Sequence, residues 1–319
     1  MKWVKLGRIF DPTDHELPNG CVQFAQSPQV LLFDDFVRIY FSTRSRDEKS
    51  GKFLSHVAFV DMHKNLRDII HLSNQTIVPL GGLGTFDEHG IFPFNVVRFG
   101  DLVYGYTTGW SRRVSVSVET SIGLTISRDQ GLTFERYGDG PVLTSSLDEP
   151  CLVGDAFVRI IGGTFYMWYI FGTGWKRNLP TDIPDRTYKI GYATSKDGIN
   201  WSKSAVGQII QDVLGPDESQ ALPTVIQIDD EFHMFFCYRE TFDFRQNFKR
   251  SYRIGHARSK DLVEWVRDDK NPEIEVSAND WDAEMLCYPH VFESDGQVYL
   301  LYNGNEFGRY GFGLAMLEK

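Results

Sequence analysis

Along most of this chain hydrophobic and polar residues alternate in short bursts, and glycine and aspartate turns separate the bursts. Val37-Arg38-Ile39-Tyr40-Phe41, Phe165-Tyr166-Met167-Trp168-Tyr169 and Val298-Tyr299-Leu300-Leu301-Tyr302 are rich in aromatic and β-branched residues. Such runs fit a pleated, half-buried surface rather than a helix. Asp229-Asp230-Glu231 and Ser294-Asp295-Gly296 supply the punctuation between strands. The pattern predicts an all-β protein.

The bursts repeat. Ser27-Pro28-Gln29-Val30, Leu222-Pro223-Thr224-Val225 and Tyr288-Pro289-His290-Val291 share one phrase, Phe92-Pro93-Phe94-Asn95-Val96 is a looser copy, and Asp155-Ala156-Phe157-Val158 carries Ala in place of Pro. The anchors at 28, 93, 156, 223 and 289 are spaced by 65, 63, 67 and 66 residues. After each anchor come a turn, an aromatic strand and, in units two to five, a third strand with small residues such as Gly191-Tyr192-Ala193. In units two, three and four a Ser-X-Asp turn follows (Ser127 to Asp129, Ser195 to Asp197, Ser259 to Asp261), and Phe134, Trp201 or Trp265 opens a fourth strand. Four antiparallel strands repeated five times is the pattern of a five-bladed β-propeller. The fifth unit ends after its third strand, and Trp3-Val4-Lys5 matches Trp265-Val266-Arg267 of a fourth strand. The expectation is a single domain over 1–319, closed by its N-terminal strand, which removes an open sheet edge.

Composition narrows the function. The net charge of −10 excludes the broad positive field that nucleic acid or an anionic membrane would require. The N-terminus has no apolar leader segment, no run is long enough to span a bilayer, and Cys21, Cys151, Cys237 and Cys287 form no CxxC pair. A cytoplasmic protein with free thiols is expected, with no nucleic-acid or membrane partner, no cofactor and no metal motif. The Ser-X-Asp turns read as structural, because an Asp carboxylate there accepts backbone N–H groups.

Chemistry is expected where loops enter the first strand of each blade. Five residues before the anchors stand Gln23, Glu88, Glu218 and Glu284, and the third unit offers Glu149 and Asp155, with Asp87 and Asp282 as neighbours. Crowded carboxylates raise one another's pKa, and glycoside cleavage needs one protonated carboxyl and one carboxylate. Such acids, with His89 or His290 beside them, are also the equipment of a hard-cation site, although no ligand motif accompanies them. Arg44, Trp110, Trp175, Arg239 and Asn303 end the second strands, where aromatic faces stack on sugar rings and Arg, Asn or His bind hydroxyls or a carboxylate. The catalytic candidates are Glu88, Asp155, Glu218 and Glu284, with Glu218 or Glu284 as general acid and Asp155 or Glu88 as base. Arg44, Arg239 and His290 are expected to grip a carbohydrate substrate.

The five-unit repeat, the Gly191-to-Trp201 phrase and the acids at the blade starts resemble the five-bladed propeller glycosidases of glycoside hydrolase families 43, 32, 62, 68 and 130. Trp281-Asp282, Tyr288-Pro289-His290 and Tyr302-Asn303-Gly304-Asn305 are more similar still to propeller proteins encoded beside bacterial surface-polysaccharide genes. The resemblance implies cleavage of a glycosidic bond by an Asp/Glu pair, or phosphorolysis in which Arg44, Arg239 and His290 hold phosphate. It departs at the first anchor, where Ser27 stands in place of the arabinanase-like base Asp, and no Asn-Asp-Pro-Asn motif is present. A non-catalytic glycan-binding propeller, a glycosyltransferase and a protein-interaction propeller remain as alternatives. The last lacks its Gly-His and Trp-Asp signatures.

Overall fold

The computed structural model describes residues 1–180, 182–270 and 273–318. Its strands in chain order are β1 (Trp3–Phe10), β2 (Gln23–Leu32), β3 (Phe36–Arg46), β4 (Phe53–His63), β5 (Ile69–Leu72), β6 (Gly90–Phe99), β7 (Leu102–Arg112), β8 (Val118–Ser127) and β9 (Glu135–Arg136). There follow β10 (Cys151–Ile161), β11 (Thr164–Lys176), β12 (Asp185–Ser195), β13 (Ser202–Lys203), β14 (Glu218–Ile228), β15 (Glu231–Glu240), β16 (Arg253–Ser259) and β17 (Val266–Arg267). The chain closes with β18 (Cys287–Ser294), β19 (Gln297–Asn303), the helical turn α1 (Asn305–Gly308) and β20 (Phe312–Leu317). Apart from α1 and three 3-10 turns, the regular structure of the described residues is all β.

The strands pair in chain order as antiparallel meanders. β10 to β13 form one four-stranded sheet and β14 to β17 another. The runs β2 to β5 and β6 to β9 are joined by a single parallel bridge between Ser55 and Gly90. The last sheet has the order β1-β20-β19-β18, with Trp3 opposite Leu317. Thus the N-terminal strand fills the outer place beside the chain's final strand. The first strands contact one another in the order β2, β6, β10, β14, β18 and back to β2.

Burial explains the strand compositions. β14 is buried along nearly its whole length, as a strand covered on both faces must be. The aromatic second strands fill the space between sheets: Trp168 of β11 packs with Ile190, Val225, Met234 and Phe236. Each Ser-X-Asp turn is tied by its own side chains. Asp129 accepts the N–H groups of Leu132 and Thr133, and Asp197 those of Ile199 and Asn200. Backbone hydrogen bonds from Asn200 hold the Asp197 carboxyl well below the usual range.

All five first strands carry the same bulge. Four residues of β2, from Gln26 to Gln29, oppose three of β3, from Ser42 to Tyr40, and the same slip occurs at Ile91/Phe94, Gly154/Phe157, Ala221/Thr224 and Cys287/His290. The residues before the anchors, Ser27, Asp155, Leu222 and Tyr288, have φ of 53°, 54°, 48° and 57°. Left-handed backbone at a non-glycine residue costs on the order of 1–3 kcal/mol, and a following proline disfavours it further. Such bulges re-aim side chains. Beyond the bulges a polar belt links neighbouring first strands. Asn95 Oδ1 accepts the Val158 N–H (2.9 Å), Thr224 Oγ1 that of Val291 (3.1 Å) and His290 Nε2 that of Val30 (3.1 Å).

Candidate active site

Two cavities lie at opposite ends of the first strands. The larger, about 650 Å³, is lined by their later halves, including Arg98, Arg159, His290 and Glu293. The smaller, about 330 Å³, lies at the end where the bulges and the second-strand ends meet. It is the chemically richer one. Arg44, Arg186, Arg239 and Arg245 line it together with Trp110, Tyr188, Phe244, Tyr252 and Tyr288, and among the described residues Glu306 is its one lining carboxylate.

Arg239 is 1% exposed. Its guanidinium lies 3.6 Å from the centroid of Phe244, donates to the carbonyls of Glu240 (2.8 Å) and Thr241 (3.3 Å), and donates to the Tyr188 hydroxyl (3.0 Å). The Tyr188 and Tyr252 hydroxyls are 2.5 Å apart, so one network fixes all three side chains. Arg44, at the end of β3, stacks on Phe24 at 4.5 Å, and burial lowers its pKa. Glu306 and Phe307 hold φ of 53° and 60° within α1, and Gln26 anchors the turn by donating to the Phe307 carbonyl. Strain of this kind persists where the surroundings over-determine it, often at ligand sites.

Of the five bulge positions, Ser27, Phe92, Asp155, Leu222 and Tyr288, only one is acidic. Asp155 is 8% exposed, its N–H donates to Thr108 Oγ1 (2.7 Å), and its Oδ2 accepts the Leu222 N–H (3.3 Å). Burial pushes its carboxyl up to about 7, against the opposing pull of the Leu222 N–H and of the cavity residue Arg186. A carboxyl of this kind holds its proton near neutrality and can give it up there.

Asp155 does not itself line the cavity; it reaches it electrostatically, through the lining residues Arg186 and Tyr288, and the remaining acids do not converge there either. Asp87 is bound by Arg136, Glu149 by Lys203 and the Tyr169 hydroxyl, Glu218 by Arg267, and Asp282 by Lys5 (2.7 Å) and the Tyr302 hydroxyl (3.1 Å). In each pair the acid lies in the segment entering a first strand, and the base lies on the outermost strand of the same sheet. Glu218 also accepts the N–H groups of Val213 and Leu214, which leaves it fully engaged. Glu88 accepts the Gly84 N–H, while the Glu284 carboxylate has no hydrogen-bond partner among the described residues and lines neither cavity.

The other expected binding residues divide. Arg44, Trp110 and Arg239 line the cavity. His89 stacks beside Trp110 with ring centroids 5.9 Å apart, and Trp175 lies 5.7 Å from the Arg186 guanidinium. Asn303 is fully buried and ties β19 to β2 through the Ser27 N–H and the Ala25 carbonyl. His290 belongs to the belt and the opposite cavity, and burial pushes its pKa down to about 3. No group of three or more His, Cys, Asp or Glu side chains suited to a metal ion occurs among the described residues. No helix among them is long and apolar enough to cross a membrane.

Sequence reasoning did not single out Arg186, Tyr188, Tyr252 or Glu306, which lie on third strands or in the loops leading to them. One signal was available. The bases Arg136, Lys203, Arg267 and Lys5 each stand two residues after Phe134, Trp201, Trp265 or Trp3, and so mark the partners that take the entering acids.

This fold is that of the propeller-type glycoside hydrolases and phosphorylases. The chain superposes on a solved glycoside hydrolase with a TM-score of 0.74 at 18% identity, over 99% of this chain and 91% of that one. It superposes on the beta-1,2-mannobiose phosphorylase of Listeria innocua with a TM-score of 0.65 at 13% identity, over 97% and 94% of the two chains. No protein-family profile matches the sequence. It is 35% identical over the full length of both chains to the uncharacterized protein Rv1502 of Mycobacterium tuberculosis, and it belongs to that protein's family. A shorter stretch, 43% of this chain and 44% of the relative, is 32% identical to the 1,2-beta-oligomannan phosphorylase of Thermoanaerobacter sp. strain X514.

Proposed function

We propose that this protein is a carbohydrate-active enzyme that cleaves a glycosidic bond in the arginine-lined cavity of a single five-bladed propeller, closed by its N-terminal strand. The cyclic contacts of the five first strands and the pairing of β1 with β20 support the architecture. The observation that carries the activity is Asp155, the one acidic bulge residue, with its carboxyl raised to about 7. In this reading Asp155, behind the cavity wall and electrostatically linked to its residues Arg186 and Tyr288, supplies the proton for the departing glycosidic oxygen. Trp110 and the tyrosines stack on sugar rings, and Arg44 and Arg239 bind polar substituents. The experiment is turnover of a panel of aryl glycosides by the intact chain and by Asp155→Asn. Undiminished turnover in the variant removes Asp155 from this role.

The second reactant is water or inorganic phosphate. Phosphorolysis is favoured by the composition of the cavity, four arginines against one carboxylate that is itself held by Arg309. The partial identity to an oligomannan phosphorylase supports the same reading. An attacking phosphate would take the place of a second catalytic carboxylate. Release of sugar 1-phosphate only when phosphate is supplied separates the two reactions.

A further inference from the structure

We infer that the cavity recognises a negative charge carried by the sugar itself, so that the substrate is an acidic glycan whose oxyanion sits against Arg44 and Arg239. This rests on the cavity being the substrate site but not on the role given to Asp155.

The inference starts from charges that the protein leaves uncompensated. Arg239 is almost wholly buried, yet its donors go only to backbone carbonyls and a tyrosine hydroxyl, and its Nε has no partner. Arg44 makes no side-chain hydrogen bond among the described residues, and its Nε is shut away from water. Among the described residues no carboxylate pairs with either. Glu306 is engaged by Arg309 (2.7 Å) and Tyr310 (3.2 Å), and Arg245 takes Asp185 (3.2 Å). The Arg186 guanidinium likewise donates only to Ser117 Oγ (3.4 Å) among the described residues, and in a chain of net charge −10 cavity guanidiniums without a paired carboxylate are costly unless a ligand supplies one.

The surroundings say what kind of ligand. An aromatic ring covers a face of each guanidinium, Phe24 for Arg44 at 4.5 Å and Phe244 for Arg239 at 3.6 Å. The donors of Arg44 are unspent along its edge, whereas Arg239 has both Nη1 hydrogens and one on Nη2 engaged. An edge of this kind matches a planar carboxylate or a phosphate ester through paired hydrogen bonds. Between the two arginines runs an aromatic surface. Phe244 and Tyr252 have ring centroids 6.2 Å apart, and Tyr252 and Tyr288 5.7 Å apart. A ligand that uses the whole wall needs apolar C–H faces for the rings and an anionic edge for the arginines. An acidic sugar has both, whereas free phosphate has only the second.

The test is a binding measurement, independent of turnover. The intact chain is titrated calorimetrically at pH 7 with the methyl glycosides of glucuronic, galacturonic and mannuronic acids, with their neutral parent glycosides, and with inorganic phosphate. The expected result is that at least one uronide binds about tenfold or more tightly than its neutral parent, the worth of one or two charge-assisted hydrogen bonds. Arg44→Gln should abolish that preference with the circular dichroism spectrum unchanged, and Arg44→Lys should restore part of it. Equal binding of uronides and neutral parents, binding of phosphate alone, or binding of none of these overturns the inference. The glycosidase reading survives such a failure if Asp155→Asn still loses turnover. A uronide preference in a protein whose turnover ignores Asp155→Asn has the opposite meaning.

Discussion

Lys5 Nζ lies 2.7 Å from Asp282 Oδ2, although 277 residues separate them in the chain. This pair corresponds to Arg136 with Asp87, Lys203 with Glu149 and Arg267 with Glu218, each joining an entering segment to the outer strand of its own sheet. In three sheets the base follows the acid along the chain. In the last it comes from the N-terminus, so the two ends of the molecule are held in one sheet. The Asp282 side chain is 2% exposed and that of Lys5 22%, so loss of the base leaves a charge buried. Lys5→Met should cost about 2–4 kcal/mol in urea unfolding, somewhat below a fully buried pair because water screens part of it. An unfolding midpoint equal to that of the wild type would show that the N-terminal strand is held by other contacts.

Glu218 gives the matching prediction for an acid inside such a pair. It is fully buried between Arg267 and the N–H groups of Val213 and Leu214. Glu218→Gln should lower stability by about 1–3 kcal/mol, since Arg267 loses its fully buried counter-ion and keeps only Asp269 (2.8 Å). Turnover per folded molecule should stay within a few-fold of the wild type. A fall of a hundredfold or more in a well-folded variant would return Glu218 to the catalytic group.

Removing a proton donor hurts most where the leaving group most needs a proton. Asp155→Asn should reduce turnover of alkyl or phenyl glycosides by roughly 10²–10⁴-fold, and turnover of dinitrophenyl glycosides far less. Wild-type turnover should fall as pH rises through about 7, where the carboxyl loses its proton. A profile flat from pH 5 to 9 contradicts the assignment.

Asp155 also has a signature in stability. Its folded-state pKa is above the ordinary value of 3.8, so the folded protein holds a proton that the unfolded chain releases between about pH 4 and 7. Its contribution is therefore present at low pH and is lost as pH rises to about 7. At pH 8 Asp155→Asn should be more stable than the wild type by an amount on the order of a few kcal/mol, and near pH 4 the difference should vanish. Melting curves across that range decide the point.

His290 has the opposite sign. Burial holds its pKa near 3, and Nε2 must stay unprotonated to accept the Val30 N–H. The unfolded chain takes up a proton below its ordinary value of 6.5, so stability is lost as pH falls from about 6.5 towards 3. His290→Gln, which keeps an acceptor but cannot be protonated, should flatten the acid limb of the melting temperature against pH. An unchanged limb would assign the acid sensitivity to other groups, with buried His256, lowered to about 4, the first to examine.

How much of this was legible before folding depends on whether a property is periodic. The anchors at 28, 93, 156, 223 and 289 recur because every sheet needs the same bulge at the same height, and the aromatic second strands recur because every gap between sheets needs filling. The match between Trp3-Val4-Lys5 and Trp265-Val266-Arg267 foreshadowed the pairing of β1 with β20 for the same reason. Repetition in sequence reports repetition in packing, so the strands and turns were legible in the sequence, while the register and its shared bulge emerged only with the pairing.

The site is the non-periodic part, and only the tertiary structure decided it. Glu218 and Asp155 are both acids near an anchor, and nothing local separates them. Glu218 meets a base two strands away across its own sheet, whereas Asp155 sits on the bulge and finds only a backbone N–H and the distant charge of Arg186. The same holds for the cations. Arg136 and Arg267 neutralise acids, while Arg44 and Arg239 are left to an aromatic cavity whose walls come from residues scattered between Phe24 and Phe307. Desolvation and counter-charge depend on neighbours in space, and it is those neighbours that turned a count of acids and arginines into one poised carboxyl and a set of uncompensated guanidiniums.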